Sequence, residues 1–150
     1  KRTEPWRFVV FSENAKDNLL DYFKDSYVRT TPSEKFNSVK IEKIEQRKQQ
    51  TSHIIAIVSA YNPDLLPEFE ETSATAMAVQ NMWLYLASTK QYGGYWSSPG
   101  YCLDQNFHSF LNLNENEKCL GVFYVGTIAP EKEIPQGQRG DWKEKVSFKE

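Results

Sequence analysis

The chain has 150 residues, enough for one domain with a core of its own, and its 14% aromatic content excludes a disordered chain even though 25% of residues are charged. A net charge of −2 gives no general attraction to nucleic acid or to an anionic membrane, and no apolar run is long enough to span a bilayer. Cys102 and Cys119 make no disulfide framework, so a reducing, cytoplasmic setting is the simplest expectation.

Lys1 is not an initiator methionine, and Lys1-Arg2-Thr3-Glu4-Pro5-Trp6 leads abruptly into an apolar run. The sequence is therefore expected to be a fragment or a processed product. Arg7 to Phe11 reads as a strand after Pro5. Ser12 is placed to cap a helix in which Ala15, Leu19 and Tyr22 repeat on one face. Thr30 to Gln50 is polar, with Phe36, Val39, Ile41 and Ile44 its only strong apolar points, and reads as an exposed, mostly helical connection. His53 to Ala60 is continuously apolar, the mark of a buried strand, and Asn62-Pro63-Asp64 ends it.

Pro67 to Gln91 is the longest predicted element. Pro67 suits a first helical turn, Glu68, Glu70 and Glu71 suit its positive end, and Gly93 suits the stop. From Ala74 to Ala87 the helix is apolar on nearly every face, where a surface helix carries a single stripe. It is expected to be buried, and a partner subunit is the natural source of cover. Gly93 to Gly100 reads as a glycine-bounded loop or short strand, Asp104 to Leu111 as a short helix, and Cys119 to Gly126 as a second buried strand. The tail over 129–150 is rich in charge, proline and glycine, and reads as a loose end or an arm lying on a partner. Strands separated by helical segments make a mixed α/β-type protein with a small sheet.

Gly93-Gly94-Tyr95-Trp96-Ser97-Ser98 is the strongest local signal. Paired glycines let backbone approach a ligand, Trp96 offers an aromatic plane, and Ser97 and Ser98 offer hydroxyls. An ordinary turn around a buried tryptophan explains the same pattern and, on pattern alone, is favoured. Lys1-Arg2-Thr3 would suit an anion or a polar ring edge, or a solvated loop. His53 and His108 lack metal-type spacing and read as structural. Cys102 and Cys119 read as a loop thiol and a core residue rather than a redox pair. No nucleophile–base set appears, so an enzyme of this sequence would draw its chemistry from a cofactor.

Several stretches, in order, resemble the nitroreductase family, specifically its small single-domain members. Lys1 to Val10 resembles the motif in which a polar loop passes through Pro-Trp into the first strand. Ala74 to Tyr92 resembles the long central helix, Gly93 to Ser98 the Gly-x-x-Trp flavin loop, and Leu111 to Gly126 the turn and strand that follow. Trp142 to Phe148 resembles the C-terminal ending.

The resemblance implies an α+β fold with a central mixed sheet flanked by helices, and the long helix buried at the interface of a homodimer. It implies FMN, with NADH or NADPH as reductant, and a nitroaromatic, quinone or similar small acceptor. Arg2 and Thr3 would then lie near the flavin ring or ribityl chain, and Trp96, Ser97 and Ser98 would line the flavin from the loop side. It also implies that residues 1–150 form one domain lacking the family's N-terminal helical segment, which carries arginines for the FMN phosphate. Ser97 stands where an arginine is common. A non-catalytic flavin or small-molecule binding protein on the same scaffold is the alternative.

Overall fold

The computed structural model describes residues 1–131, 137 and 139–149. In chain order it has β1 (Trp6–Ser12), α1 (Glu13–Thr30), α2 (Ser38–Gln50), β2 (His53–Ala60), α3 (Glu68–Ser88), β3 (Tyr92–Ser97), α4 (Gln105–Phe110) and β4 (Glu117–Thr127). The sheet runs β1-β2-β4-β3.

The class is α+β, as expected, but every strand pair is antiparallel rather than mixed. Two features of the connections explain this. A single helix between β1 and β2 would return the chain for a parallel pair. Here α1 and α2 form a helical hairpin instead, so β2 starts at the far end of β1 and runs back along it. The helix α3 then carries the chain back, so β3 runs in the same direction as β2. β4 is inserted between those two strands, and no parallel pair forms.

The helical hairpin is sewn together at its surface. Lys48 Nζ meets Asp21 Oδ1 at 2.6 Å and Glu45 at 3.1 Å, and Lys24 bridges the same two carboxylates. Those lysines hold the Asp21 and Glu45 carboxyls below the ordinary carboxylate range. Asn37 caps α2, its side chain accepting from the Val39 N–H at 2.9 Å. Ser12 occupies the N-cap position of α1 as expected, but its side chain makes no capping bond, and Glu13 takes a φ of 49°. Asp104 caps α4 through the Phe107 N–H at 2.8 Å.

Helices cover both faces of the sheet. On one face Leu19, Leu20 and Phe23 of α1, Ile44 of α2 and Phe107 of α4 pack on Ile54, Ala56, Val58, Val122 and Tyr124. On the other, Val79, Met82 and Leu86 of α3 pack on Ile57, Phe123 and their neighbours Ile55, Trp96, Leu120 and Val125. Buried polar contacts fix α3 in place: Thr75 Oγ1 donates to Ser59 Oγ at 3.0 Å, and Glu71 Oε2 accepts from the Asn62 N–H at 2.8 Å.

Only Glu71, Thr75 and Val79 of α3 are fully buried in the chain itself. Met77, Leu84 and Tyr85 remain 62%, 59% and 73% exposed. Trp6, Phe8 and Val10 of β1, on the same side of the sheet, are also open to solvent. The helix stops at Ser88, not at Gly93. Lys90 takes the left-handed turn, with a φ of 56°, and Gly93 belongs to β3. The tail expected over 129–150 falls partly outside the described residues. Within them, Trp142–Lys145 forms one exposed 3-10 turn.

Candidate functional site

Strand directions aim two of the sequence's candidate segments at one end of the sheet. β1 and β4 begin there and β2 finishes there, while β3 runs towards it but stops at Ser97, level with Val122, Ala56 and Val9 in the middle of the other strands. The segment Lys1–Pro5 lies at the end itself. The two segments sit at opposite edges, because β2 and β4 separate β1 from β3. The separation is about 14 Å across the sheet, and Pro5 lies about 13 Å further along the strands than Ser97.

Pro5 O accepts from the Ala60 N–H at 2.8 Å, and Lys1 Nζ donates to Leu65 O at 2.7 Å. These bonds lay the N-terminal segment against the loop that follows β2. Glu4, between Thr3 and Pro5, has a φ of 46°. A left-handed glutamate costs energy and persists only where its surroundings hold it.

Four cations stand near this end, and three are committed. Lys1 is spent on Leu65 O. Arg7 pairs with the buried Glu117 at 2.7 Å, and Lys118 pairs with Glu68 at 2.7 Å. Arg2 is exposed and has no ion pair or side-chain hydrogen bond among the described residues. Thr3 and Ser97 are half-buried, and their hydroxyls likewise carry no partner among the described residues.

Trp96 and Ser98 differ from that group. Trp96 Nε1 donates to Leu120 O at 3.2 Å and Ser98 Oγ donates to the same oxygen at 3.0 Å. Leu120 is the extra residue of a bulge in β4, since Ile57 pairs with Gly121 and Val58 with Cys119. A bulged residue leaves the strand ladder. Its carbonyl is taken up by these two side chains. The sequence reading missed this arrangement, although a signal was present: Gly121 interrupts a buried apolar run, and glycine inside a strand marks a bulge or a close approach. Gly121 has a φ of 128°, and a Cβ there would stand 2.5 Å from Ser97 O.

The histidines lie apart: His108 Nε2 donates to Glu117 O at 2.8 Å, as a structural residue would, while His53 is exposed beside Ser52. Cys102, expected as a loop thiol, is fully buried, and Cys119, expected in the core, is half-buried and packs against it. Burial pushes the Cys119 thiol up to about 11 and Cys102 higher still. Among the described residues there is no cluster of His, Cys, Asp and Glu fit for a metal ion. Among the described residues, one groove of about 350 Å³ lies beside Arg47 and Tyr95 and another of about 410 Å³ beside Tyr61 and Pro67. Neither is lined by any of the five candidate residues.

The Nitroreductase family profile matches residues 1–127. The chain belongs to the nitroreductase family. Family membership points to an oxidoreductase. A nitroreductase-like family protein from Bacillus cereus superposes with a TM-score of 0.78 at 21% identity, over 99% of this chain and 75% of that one. An FMN-dependent nitroreductase from Mycobacterium smegmatis, in complex with NADPH, superposes with a TM-score of 0.67 at 15% identity, over 99% of this chain and 80% of that one. A nitroreductase from Lactococcus lactis, in complex with chloramphenicol, gives 0.69 at 15% identity, over 98% and 78%. No curated protein matches the chain. Among the described residues no helix is long and apolar enough to cross a membrane.

Arg2, Thr3 and Ser97 carry donors of the kind a flavin takes up. A guanidinium suits a phosphate or the electron-rich edge of the ring, and hydroxyls suit a polyol chain. None of these groups is a base or nucleophile placed for chemistry of its own, so any reaction here draws on a bound group.

Proposed function

We propose that this nitroreductase-family chain binds FMN through the Lys1–Pro5 and Ser97–Ser98 segments, and acts as an NAD(P)H-dependent oxidoreductase. The observation that carries the reading is the guanidinium of Arg2, the one of four cations near the Lys1–Pro5 segment with no ion pair or side-chain hydrogen bond among the described residues. Bound there, the flavin supplies hydride chemistry, from NADH or NADPH to a nitroaromatic, quinone or similar small acceptor.

The chain's own residues bind and orient. Arg2 offers paired N–H donors to an anionic or electron-rich group. Thr3 and Ser97 offer hydroxyls from the two edges of the sheet. Hydrogen bonds to the polar edge of a flavin favour its more electron-rich, reduced form, so these donors also set how readily the ring accepts hydride. A second copy of the chain would cover the exposed faces of α3 and β1 and exclude water from the site.

The test is the absorbance spectrum of the purified protein, followed by an FMN titration and a measurement of NADH and NADPH oxidation with nitro and quinone acceptors. A flavin spectrum, saturable binding and acceptor-dependent oxidation are expected. A protein that stays colourless and takes up no added FMN refutes the reading. Binding without turnover leaves a non-catalytic flavin protein in its place.

A further inference from the structure

The geometry points to a clamp in which Trp96, Ser98 and Gly121 hold the Leu120 bulge and thereby set the backbone of residues 97–99 for the ligand. Trp96 and Ser98 are then positioning residues rather than flavin ligands. The inference rests on the flavin reading for the identity of the ligand, but not for the clamp itself.

An indole has one polar atom, a donor, and that of Trp96 is already spent on Leu120 O at 3.2 Å. The one hydroxyl proton of Ser98 is spent on the same oxygen at 3.0 Å. Neither side chain keeps a hydrogen to offer a flavin. Gly121 makes the approach possible, because a Cβ there would come within 2.5 Å of Ser97 O and 2.8 Å of both Ser98 Oγ and Trp96 Nε1. All three contacts converge on one point, where the last residue of β3 crosses the bulge of β4. The bulge would otherwise leave a carbonyl unpaired beneath the loop. Capping it with two donors from β3 and its extension fixes where Ser97 presents its free hydroxyl and backbone.

A clamp and a direct contact predict different arithmetic. Two side chains that act through one oxygen are not independent, so their losses do not add. Ser98→Ala and Trp96→Phe should each weaken FMN binding by about five- to tenfold, and the double variant should be no worse than the weaker binder of the two. Ser98→Thr, which keeps the hydroxyl, should restore wild-type binding. In the ligand-free chain the Trp96 indole N–H should exchange slowly with solvent by NMR, and faster in Ser98→Ala.

Losses that multiply in the double variant would overturn the clamp in favour of direct contacts. So would variants that bind FMN as the wild type does, or a Trp96 indole N–H that exchanges as fast as an exposed indole. A wild-type chain that binds no FMN overturns the flavin reading alone, and the exchange measurement still decides the clamp. Gly121→Ala should abolish the slow exchange by driving Ser97 away. Because that substitution also strains β4, Ser98→Ala, at an exposed residue, is the variant on which the decision rests.

Discussion

For the proposed dimer, Leu84→Asp should leave a folded monomer. Leu84 lies on the side of α3 away from Val79, seven residues beyond Met77 on the same stripe, and is 59% exposed in the single chain. Full burial of a leucine contributes about 1.5–3 kcal/mol, so covering the exposed part is worth roughly 0.9–1.8 kcal/mol. A two-fold interface uses the patch twice, which makes about 2–3.5 kcal/mol, or roughly 30- to 400-fold in the dissociation constant. A buried, unpaired carboxylate on each copy adds to that loss. Sedimentation velocity over a dilution series measures it, and far-ultraviolet circular dichroism checks that the fold is kept. Val28→Asp, at a 54% exposed residue of α1 on the other face, is the control and should leave association unchanged. The reasoning fails if Leu84→Asp sediments like the wild type, or if Val28→Asp dissociates the chain equally well.

Three further outcomes follow from the packing and the site. Gly94→Ala would place a Cβ 2.2 Å from the ring of the buried Phe123, and overpacking of this kind should cost about 1–3 kcal/mol by urea unfolding; Gly100→Ala, with nothing within 4 Å, should cost far less. Cys102 and Cys119 should resist a disulfide-based thiol reagent at pH 8 until the chain is unfolded. Because the folded Cys119 pKa, about 11, lies above its ordinary value of 9.0, the associated stability is full below about 9 and is lost as pH rises towards 11, which chemical denaturation across that window should show. Arg2→Ala should weaken FMN binding by about 10- to 100-fold, the loss of a hydrogen bond from a charged group, and Arg2→Lys should recover only part of it because an ammonium lacks the paired donors. Fluorescence titration reads both, and unchanged affinity in Arg2→Ala removes Arg2 from the site.

Periodicity carried the local reading a long way, because a strand or helix face is written in nearby residues. His53 to Ala60 and the polar helical connection before it emerge much as their patterns require. What periodicity could not show is anything that depends on how distant segments are placed. The antiparallel sheet follows from the α1–α2 hairpin, whose helices share one core through Leu20, Phe23 and Ile44 and meet at the surface through Lys48, Lys24, Asp21 and Glu45. The helix α3 shows the same limit in another form. Its all-round apolar composition signals a need for cover, yet a single chain fully buries only Glu71, Thr75 and Val79 and half-covers Met82 and Leu86.

Trp96 makes the point most sharply. Its ring can be read from sequence as a plane for a ligand, and the glycines around it as room for close approach. Which group its N–H meets depends on the register of β3 against β4 and on one extra residue at Leu120. A one-residue difference in that register would turn every side chain of the strand to the other face. Gly121 is the one local mark of the bulge, and it is legible only once a strand interrupted by glycine is taken as a question about what lies against it. The consequence reaches the site itself. Residues chosen for their polar atoms divide into those whose side-chain atoms have no partner among the described residues, Arg2, Thr3 and Ser97, and those already spent on the protein, Trp96 and Ser98. The first group can offer side-chain donors to a ligand, whereas the donors of the second are committed to Leu120 O, and in the proposed clamp they act through the backbone they fix.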